Sequence, residues 1–226
     1  MGASESGAPS PGIDALVAAA GTFHPWDSMA PRALAAIARR GPFLATAETG
    51  CGGSTIVFSQ LSRRHTSFAI EGENASITQV RARSDFNAGA VAFVEGPTKE
   101  TVPAFRSESP LDLVLLDGPH AYPLPQLEYA CLFPMVRRAG WLVVDDIQIR
   151  SVHELFSFLR QESSVILEEV VVRTAFFRKV TDGTYPAGPD GWWLQGVNRR
   201  PVWRYAWRDR LRRLLGRGND RPRPAP

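Results

Sequence analysis

The chain has 226 residues, is 44% hydrophobic and 22% charged, and carries a formal net charge of +3; length and composition fit one globular domain and exclude wholesale disorder. The charge is uneven, because Arg199, Arg200, Arg204, Arg208, Arg210, Arg212, Arg213, Arg217, Arg221 and Arg223 crowd the C-terminal segment and leave the body before Arg199 net acidic. Cys51 and Cys131 are too few for a disulfide framework and lack the paired spacing of a zinc site.

Met1 to Gly12 is dominated by Gly, Ser and Pro and reads as a disordered lead. It lacks a basic start leading into an apolar core, and no run approaches membrane-spanning length, so a soluble, cytoplasmic protein is expected. Ile13, Leu16 and Val17 suit a short amphipathic helix, and Pro31 to Arg40 a second with Ser28 as cap, making 13–41 a helical cap. After Gly41-Pro42 short apolar runs alternate with helix-length stretches, the pattern of a parallel sheet with crossover helices. The strands read as Phe43 to Ala47, Ser67 to Ile70, Val91 to Val94, Leu111 to Leu116 and Trp141 to Val144. Helices read as Ser54 to Arg63, Asn74 to Ser84, Thr98 to Phe105, Leu124 to Arg137 and Val152 to Arg160. Val165 to Val172 and Ala175 to Val180 are too close for a crossover and should pair antiparallel. The fold class is therefore α/β: a doubly wound, mostly parallel seven-stranded sheet finished by an antiparallel C-terminal hairpin, over 42–198. Residues 199–226 form an Arg-rich tail, partly helical because Trp203, Trp207, Leu211, Leu214 and Leu215 recur at helical spacing.

The first motif with chemical content is Glu48-Thr49-Gly50-Cys51-Gly52-Gly53-Ser54-Thr55, between the first strand and its helix. Gly50 and Gly52 allow a tight turn, and Ser54 or Thr55 can bond the exposed amides of the helix start. Thr55 stands where a dinucleotide fingerprint has its third glycine, and the Gly-Lys-Ser/Thr ending of a P-loop is missing. With Glu48 two residues before the first glycine, the turn suits a cofactor without phosphates whose ammonium a carboxylate can meet, as in S-adenosylmethionine. Glu71 ends the second strand roughly 20 residues on, where an acidic side chain takes ribose hydroxyls. Glu95-Gly96 ends the third, where a loop can border the adenine.

A second constellation joins Asp117-Gly118-Pro119-His120-Ala121-Tyr122, after the fourth strand, to Asp145-Asp146, after the fifth. The carboxyl ends of strands in open α/β sheets hold the ligand crevice, so Asp117, Asp145 and Asp146 can converge there on one hard cation, Mg²⁺ by their oxygen-only ligation. His120 follows three residues after Asp117 and suits a general base at neutral pH. His24, His65 and His153 read as surface or satisfied residues.

From about Phe43 to Arg160 these motifs, in this order, resemble the class I S-adenosylmethionine-dependent methyltransferases, and among them the magnesium-dependent O-methyltransferases that include macrocin O-methyltransferase. The resemblance implies a methyltransferase domain in which Asp117, Asp145 and Asp146 bind the metal and His120 takes the acceptor proton. It also implies that Glu71 holds the cofactor ribose, and that Glu48, Thr49, Gly50, Gly52, Ser54, Thr55, Glu95, Gly96 and Asp117 line the cofactor. Relatives often carry Glu at the position of Asp145. Catechol-type relatives use a lysine near the first metal aspartate; Lys99 and Lys179 do not fit that position. The implied partner is a hydroxylated small molecule, a sugar or other diol, with a homo-oligomer possible in principle and neither nucleic acid nor membrane expected. Two alternatives stay open: an NAD-dependent oxidoreductase, and a non-catalytic cofactor-binding module that uses its Arg-rich tail for interaction. Tyr185, Trp192 and Trp193, within 183–198, either shape the acceptor site or pack under a long loop.

Overall fold

The computed structural model describes residues 11–20, 29–72, 76–183, 195–199, 207, 211 and 214. The chain divides into two compact units, Met1–Thr184 and Tyr185–Pro226, a division that falls before the boundary at 198 expected from the sequence. In the second unit the described residues are a 3₁₀ turn, Gly196–Arg199, and helical positions at Trp207, Leu211 and Leu214. Tyr185, Trp192, Trp193 and most of the expected tail helix lie outside the described residues, as do Met1 to Ser10, His24 and Ser28.

The first unit is built on seven strands: β1 (Phe43–Thr49), β2 (Ser62–Ala69), β3 (Val91–Glu95), β4 (Leu111–Leu116), β5 (Val136–Val144), β6 (Val165–Val171) and β7 (Thr174–Lys179). Their order is β3-β2-β1-β4-β5-β7-β6. The first five run parallel, while β7 pairs antiparallel with both β5 and β6. The doubly wound sheet with its antiparallel hairpin is thus the architecture observed. The strands are joined or flanked by α1 (Pro11–Ala20), α2 (Pro31–Ala38), α3 (Gly53–Leu61), α4 (Ser76–Arg81), α5 (Thr98–Ala104), α6 (Leu124–Leu132) and α7 (Arg150–Leu159).

Both faces of the sheet are covered, which is why the central strands read as continuous apolar runs. Along β4, Val114 and Leu116 join Tyr129 and Leu132 of α6 and Leu155 of α7 in one core. Leu113 and Leu115 face the other way, into a core with Ala20 of α1, Leu34 and Ile37 of α2, and Val57 and Phe58 of α3.

Several boundaries differ from expectation. The structure of α1 starts at Pro11, inside the segment read as a lead. α3 stops at Leu61 and β2 takes over at Ser62; the polar Ser62-Arg63-Arg64-His65 run hides a strand because His65 is buried while both arginines face solvent. α6 stops at Leu132, a 3₁₀ turn through Pro134 follows, and β5 begins at Val136 rather than at Trp141. The early part of β5 is fastened by Asp112, whose carboxylate accepts from Arg137 Nε at 2.6 Å and from the amides of Leu44 at 2.5 Å and Ala45 at 3.1 Å. No helix among the described residues is long and apolar enough to cross a membrane.

Candidate active site

β1 lies between β2 and β4, so the chain leaves β1 to one side and later returns to β4 on the other, the switch point whose carboxyl end holds the ligand crevice in open α/β sheets. Glu48 and Thr49 pair with Leu115 and Leu116, and the two following turns touch. Gly50 has φ +94°, and a Cβ there would lie 2.3 Å from the carbonyl oxygen of Asp117. Glycine at this position is therefore demanded by the neighbouring turn, before any ligand is considered. The Gly50 amide donates to the Phe68 carbonyl at 2.9 Å, and the Gly52 amide to Thr55 Oγ1 at 2.9 Å.

Glu48 lies beneath this turn, fully buried. Its carboxylate accepts from Ser54 Oγ at 2.6 Å and from Thr55 Oγ1, and it stands 3.1 Å from His65 Nε2. His65 in turn reaches Thr46 Oγ1 through Nδ1 at 2.8 Å and stacks on Phe58 at 4.7 Å. Glu48, expected to meet a cofactor ammonium, has three side-chain partners and no exposed surface in this structure, where it braces the turn from inside. Ser54 and Thr55 are likewise buried and spend their hydroxyls on Glu48. Cys51 is not a nucleophile at neutral pH, since burial and then the Glu48 charge push its thiol up to about 12.

Further along the same edge, Glu71 accepts from the amides of Ile77 at 2.9 Å and Thr78 at 3.1 Å, close to the start of α4. The Thr78 side chain and these amides hold its exposed carboxyl below the usual range. It remains an anion with lone pairs to spare, as a ribose partner must be. Glu95 is exposed, 3.7 Å from Arg81, and Gly96 turns with φ +136° while its amide donates to Ala69 at 3.0 Å.

The turn after β4 is anchored by Thr49, whose Oγ1 accepts from the Asp117 amide at 3.2 Å and donates to Glu128 Oε2 at 2.8 Å. Ser151 at the start of α7 donates its hydroxyl to the His120 carbonyl. So held, Asp117, His120 and Asp146 each offer one ligand atom within 4.8 Å of the others. His120 Nε2 is buried and stands 3.2 Å from Asp146 Oδ2. Asp146 itself has φ +54°, a left-handed conformation that is uncommon outside glycine and turns its side chain toward the crevice.

Asp145 does not join them. It is 1% exposed, with Oδ1 accepting from Thr174 Oγ1 at 2.5 Å. Burial pushes its carboxyl up against the pull of that hydroxyl. Successive side chains leaving a strand diverge, so of the Asp-Asp pair one faces the crevice and the other the β7 side. Of the three aspartates expected as metal ligands, Asp117 and Asp146 lie together beside His120, and Asp145 lies apart.

Two residues that the sequence reading missed complete the surroundings of Asp146. Gln148 Nε2 donates to Oδ1 at 2.8 Å, and Arg173 Nε stands 2.8 Å from the same oxygen. Arg173 arrives from the tip of the β6–β7 hairpin, and nothing local in the sequence marks it; pairing β7 with β5 is what brings it there.

With this geometry in view, comparison with known proteins is informative. A family model described as a methyltransferase domain matches residues 47–147. The matched segment, a little under half of the chain, is similar to a methyltransferase domain. It contains the glycine turn, Glu71, Glu95, Asp117, His120 and the two aspartates that follow β5. The fold around it is shared with solved methyltransferases. The O-methyltransferase of Bacillus cereus, solved with SAH, superposes with TM-score 0.57 at 13% identity, over 76% of this chain and 92% of that one. The SAH-bound methyltransferase PaMTH1 of Podospora anserina gives 0.57 at 14%, over 78% and 91%. MycE, from the mycinamycin biosynthetic pathway, gives 0.55 at 17% identity, over 81% of this chain and 58% of that one. No curated protein matches the sequence.

Proposed function

We propose that the protein transfers a methyl group from S-adenosylmethionine to an oxygen of a hydroxylated small molecule, a sugar or other diol, at the crevice where Asp117, His120 and Asp146 meet. The observation that carries this reading is that meeting itself, reached on a turn whose backbone touches the glycine turn of the methyltransferase domain. The glycine turn and Glu71 would hold the cofactor, with Glu48 stiffening the turn from below. The MycE structure holds Mg, SAH and mycinamycin VI together, which agrees with a cation and a small-molecule acceptor sharing the site with the cofactor.

The donor set fits a hard divalent cation. Asp117 and Asp146 supply carboxylate oxygens on adjacent strand ends, and the outward oxygen of Asp146 is already steadied through its partner atom. Such a cation would lower the pKa of an acceptor hydroxyl, as it lowers that of bound water. The chain's own contribution to proton transfer is His120. Its Nε2 is buried and faces Asp146 Oδ2 at 3.2 Å, which places the ring at the site. With cofactor and acceptor bound, the imidazole would take the hydroxyl proton; the cofactor would supply an electrophilic methyl group to the acceptor oxygen and leave as the thioether. Asp146 stabilises the imidazolium that results.

The test is a panel of hydroxylated acceptors incubated with S-adenosylmethionine and Mg²⁺, read by mass spectrometry for methylated product. His120→Ala should lower turnover by ~10²–10⁴-fold with cofactor affinity near wild type. Undiminished turnover in that variant removes His120 as base, and full activity in excess chelator removes the cation while leaving cofactor binding untouched.

A further inference from the structure

The β6–β7 turn is a strained element docked on the site. Between Val171 and Thr174 the chain turns on two residues, and Val172 is left-handed at φ +58°. Such hairpin turns usually place glycine or asparagine there, because a β-branched side chain is disfavoured at positive φ. The strain is compensated by contacts with the loop after β5. The Ile147 amide donates to the Arg173 carbonyl at 3.1 Å, Thr174 donates to Asp145, and Arg173 Nε reaches Asp146 Oδ1. All three contacts lie beside the carboxylate offered to a cation.

Resting on the cation reading above, we propose that Arg173 is a built-in counter-cation of the site, sharing Asp146 with the divalent ion and holding the affinity for that ion down. Asp146 presents two oxygens. Oδ1 is occupied by the Arg173 ion pair and the Gln148 hydrogen bond, and Oδ2, which faces His120 Nε2 at 3.2 Å, is the oxygen left for a metal, so this residue offers the ion one oxygen. The guanidinium also puts a fixed positive charge on the far side of the carboxylate. The Arg173 side chain is 30% and that of Asp146 6% exposed, so solvent screens this charge incompletely and it repels a second cation a few ångströms away. An ion held by few protein ligands against a resident charge is retained firmly only when acceptor oxygens complete its shell. Arg173 is in this sense a positioning residue: it acts through Asp146 and makes ion retention depend on the acceptor.

The experiment titrates Mn²⁺ into the full-length protein, wild type and variants, without cofactor or acceptor, and reads bound ion by electron paramagnetic resonance. Arg173→Gln should bind Mn²⁺ at least ~10-fold more tightly than wild type, because it removes the repelling charge beside Asp146. Arg173→Lys keeps the charge and should stay within ~3-fold of wild type, as should Gln148→Ala, which removes a neutral donor from the same oxygen. Thermal unfolding of each variant reports separately on hairpin docking, and Arg173→Lys serves where Arg173→Gln does not fold. Equal or weaker binding in Arg173→Gln overturns the proposal, and so does tightening in Arg173→Lys as large as in Arg173→Gln. If wild type and Arg173→Gln bind alike but Asp117→Ala abolishes binding, only this inference fails. If neither binds Mn²⁺ at all, the cation reading fails with it.

Discussion

Glu128 of α6 lies just below the turn that carries Asp117 and is 1% exposed. Its Oε2 accepts from Thr49, while Oε1 has no hydrogen-bond partner and sits 2.8 Å from where a Cβ on Gly118 would be. Burial pushes this carboxyl from its ordinary 4.5 up to about 7, against the opposing pull of the Thr98 and Thr49 hydroxyls. The consequence for stability has a definite sign. Below the unfolded value both states hold the proton and the group is neutral in its effect. Between 4.5 and about 7 the unfolded chain ionises while the folded protein keeps its proton, so stability falls as pH rises. Above that window the full penalty applies, about 3 kcal/mol at ~1.36 kcal/mol for each pH unit between the two values. Glu128→Gln mimics the protonated form and retains an oxygen for Thr49. It should therefore be more stable than wild type by as much as ~3 kcal/mol at pH 8 and by under ~1 kcal/mol at pH 5, read by urea unfolding. A stability difference between the two proteins that is the same at both pH values would refute the reasoning.

Gly50→Ala places a methyl group against the Asp117 carbonyl at a backbone angle that alanine resists; it should cost ~1–3 kcal/mol in denaturant unfolding and weaken cofactor binding in calorimetry, since the turn must shift. Asp112→Asn should cost ~1–3 kcal/mol by breaking the bond to Arg137 and weakening those from Leu44 and Ala45. Although burial opposes it, Arg137 with these amides holds the Asp112 carboxyl below its usual range, so its stabilisation is present above the unfolded pKa and lost as pH falls through the folded one. Acid titrations of unfolding should show a shallower decline in Asp112→Asn below about pH 4.

The fold was legible wherever burial alone governs sequence. Leu111 to Leu116 is apolar at nearly every position because both faces of β4 are covered, and the run coincides with the strand. The hairpin was legible because so few residues separate its strands. What escaped were strand halves whose stability comes from long-range polar partners. The start of β5 carries Arg137 and Arg138 and looks like the end of a helix, yet it is held in the sheet by Asp112, twenty-five positions earlier. The start of β2 carries Arg63 and Arg64 and is held by register with β1, where Ala45 pairs with Arg64 and Thr46 with His65. A window of local propensity contains none of these partners.

The candidate site divides along the same line. Strand ends and glycine turns are local features, so Asp117, His120 and Asp146 could be named before their meeting was seen. Which way a side chain leaves a strand end is not local. Asp145 and Asp146 are chemically identical neighbours, and the backbone at φ +54° together with Arg173 and Gln148 decides that Asp146 faces the crevice. Thr174 decides that Asp145 faces away, where a buried carboxylate keeps its proton more readily than a metal ligand should. Glu48 shows the opposite lesson: a carboxylate expected at the ligand is instead spent on Ser54, Thr55 and His65. A charged residue in a cofactor motif can thus act by rigidifying the turn that meets the cofactor. That follows from cost: a buried carboxylate with three partners holds the loop in one conformation, and a turn already ordered loses less entropy when it binds.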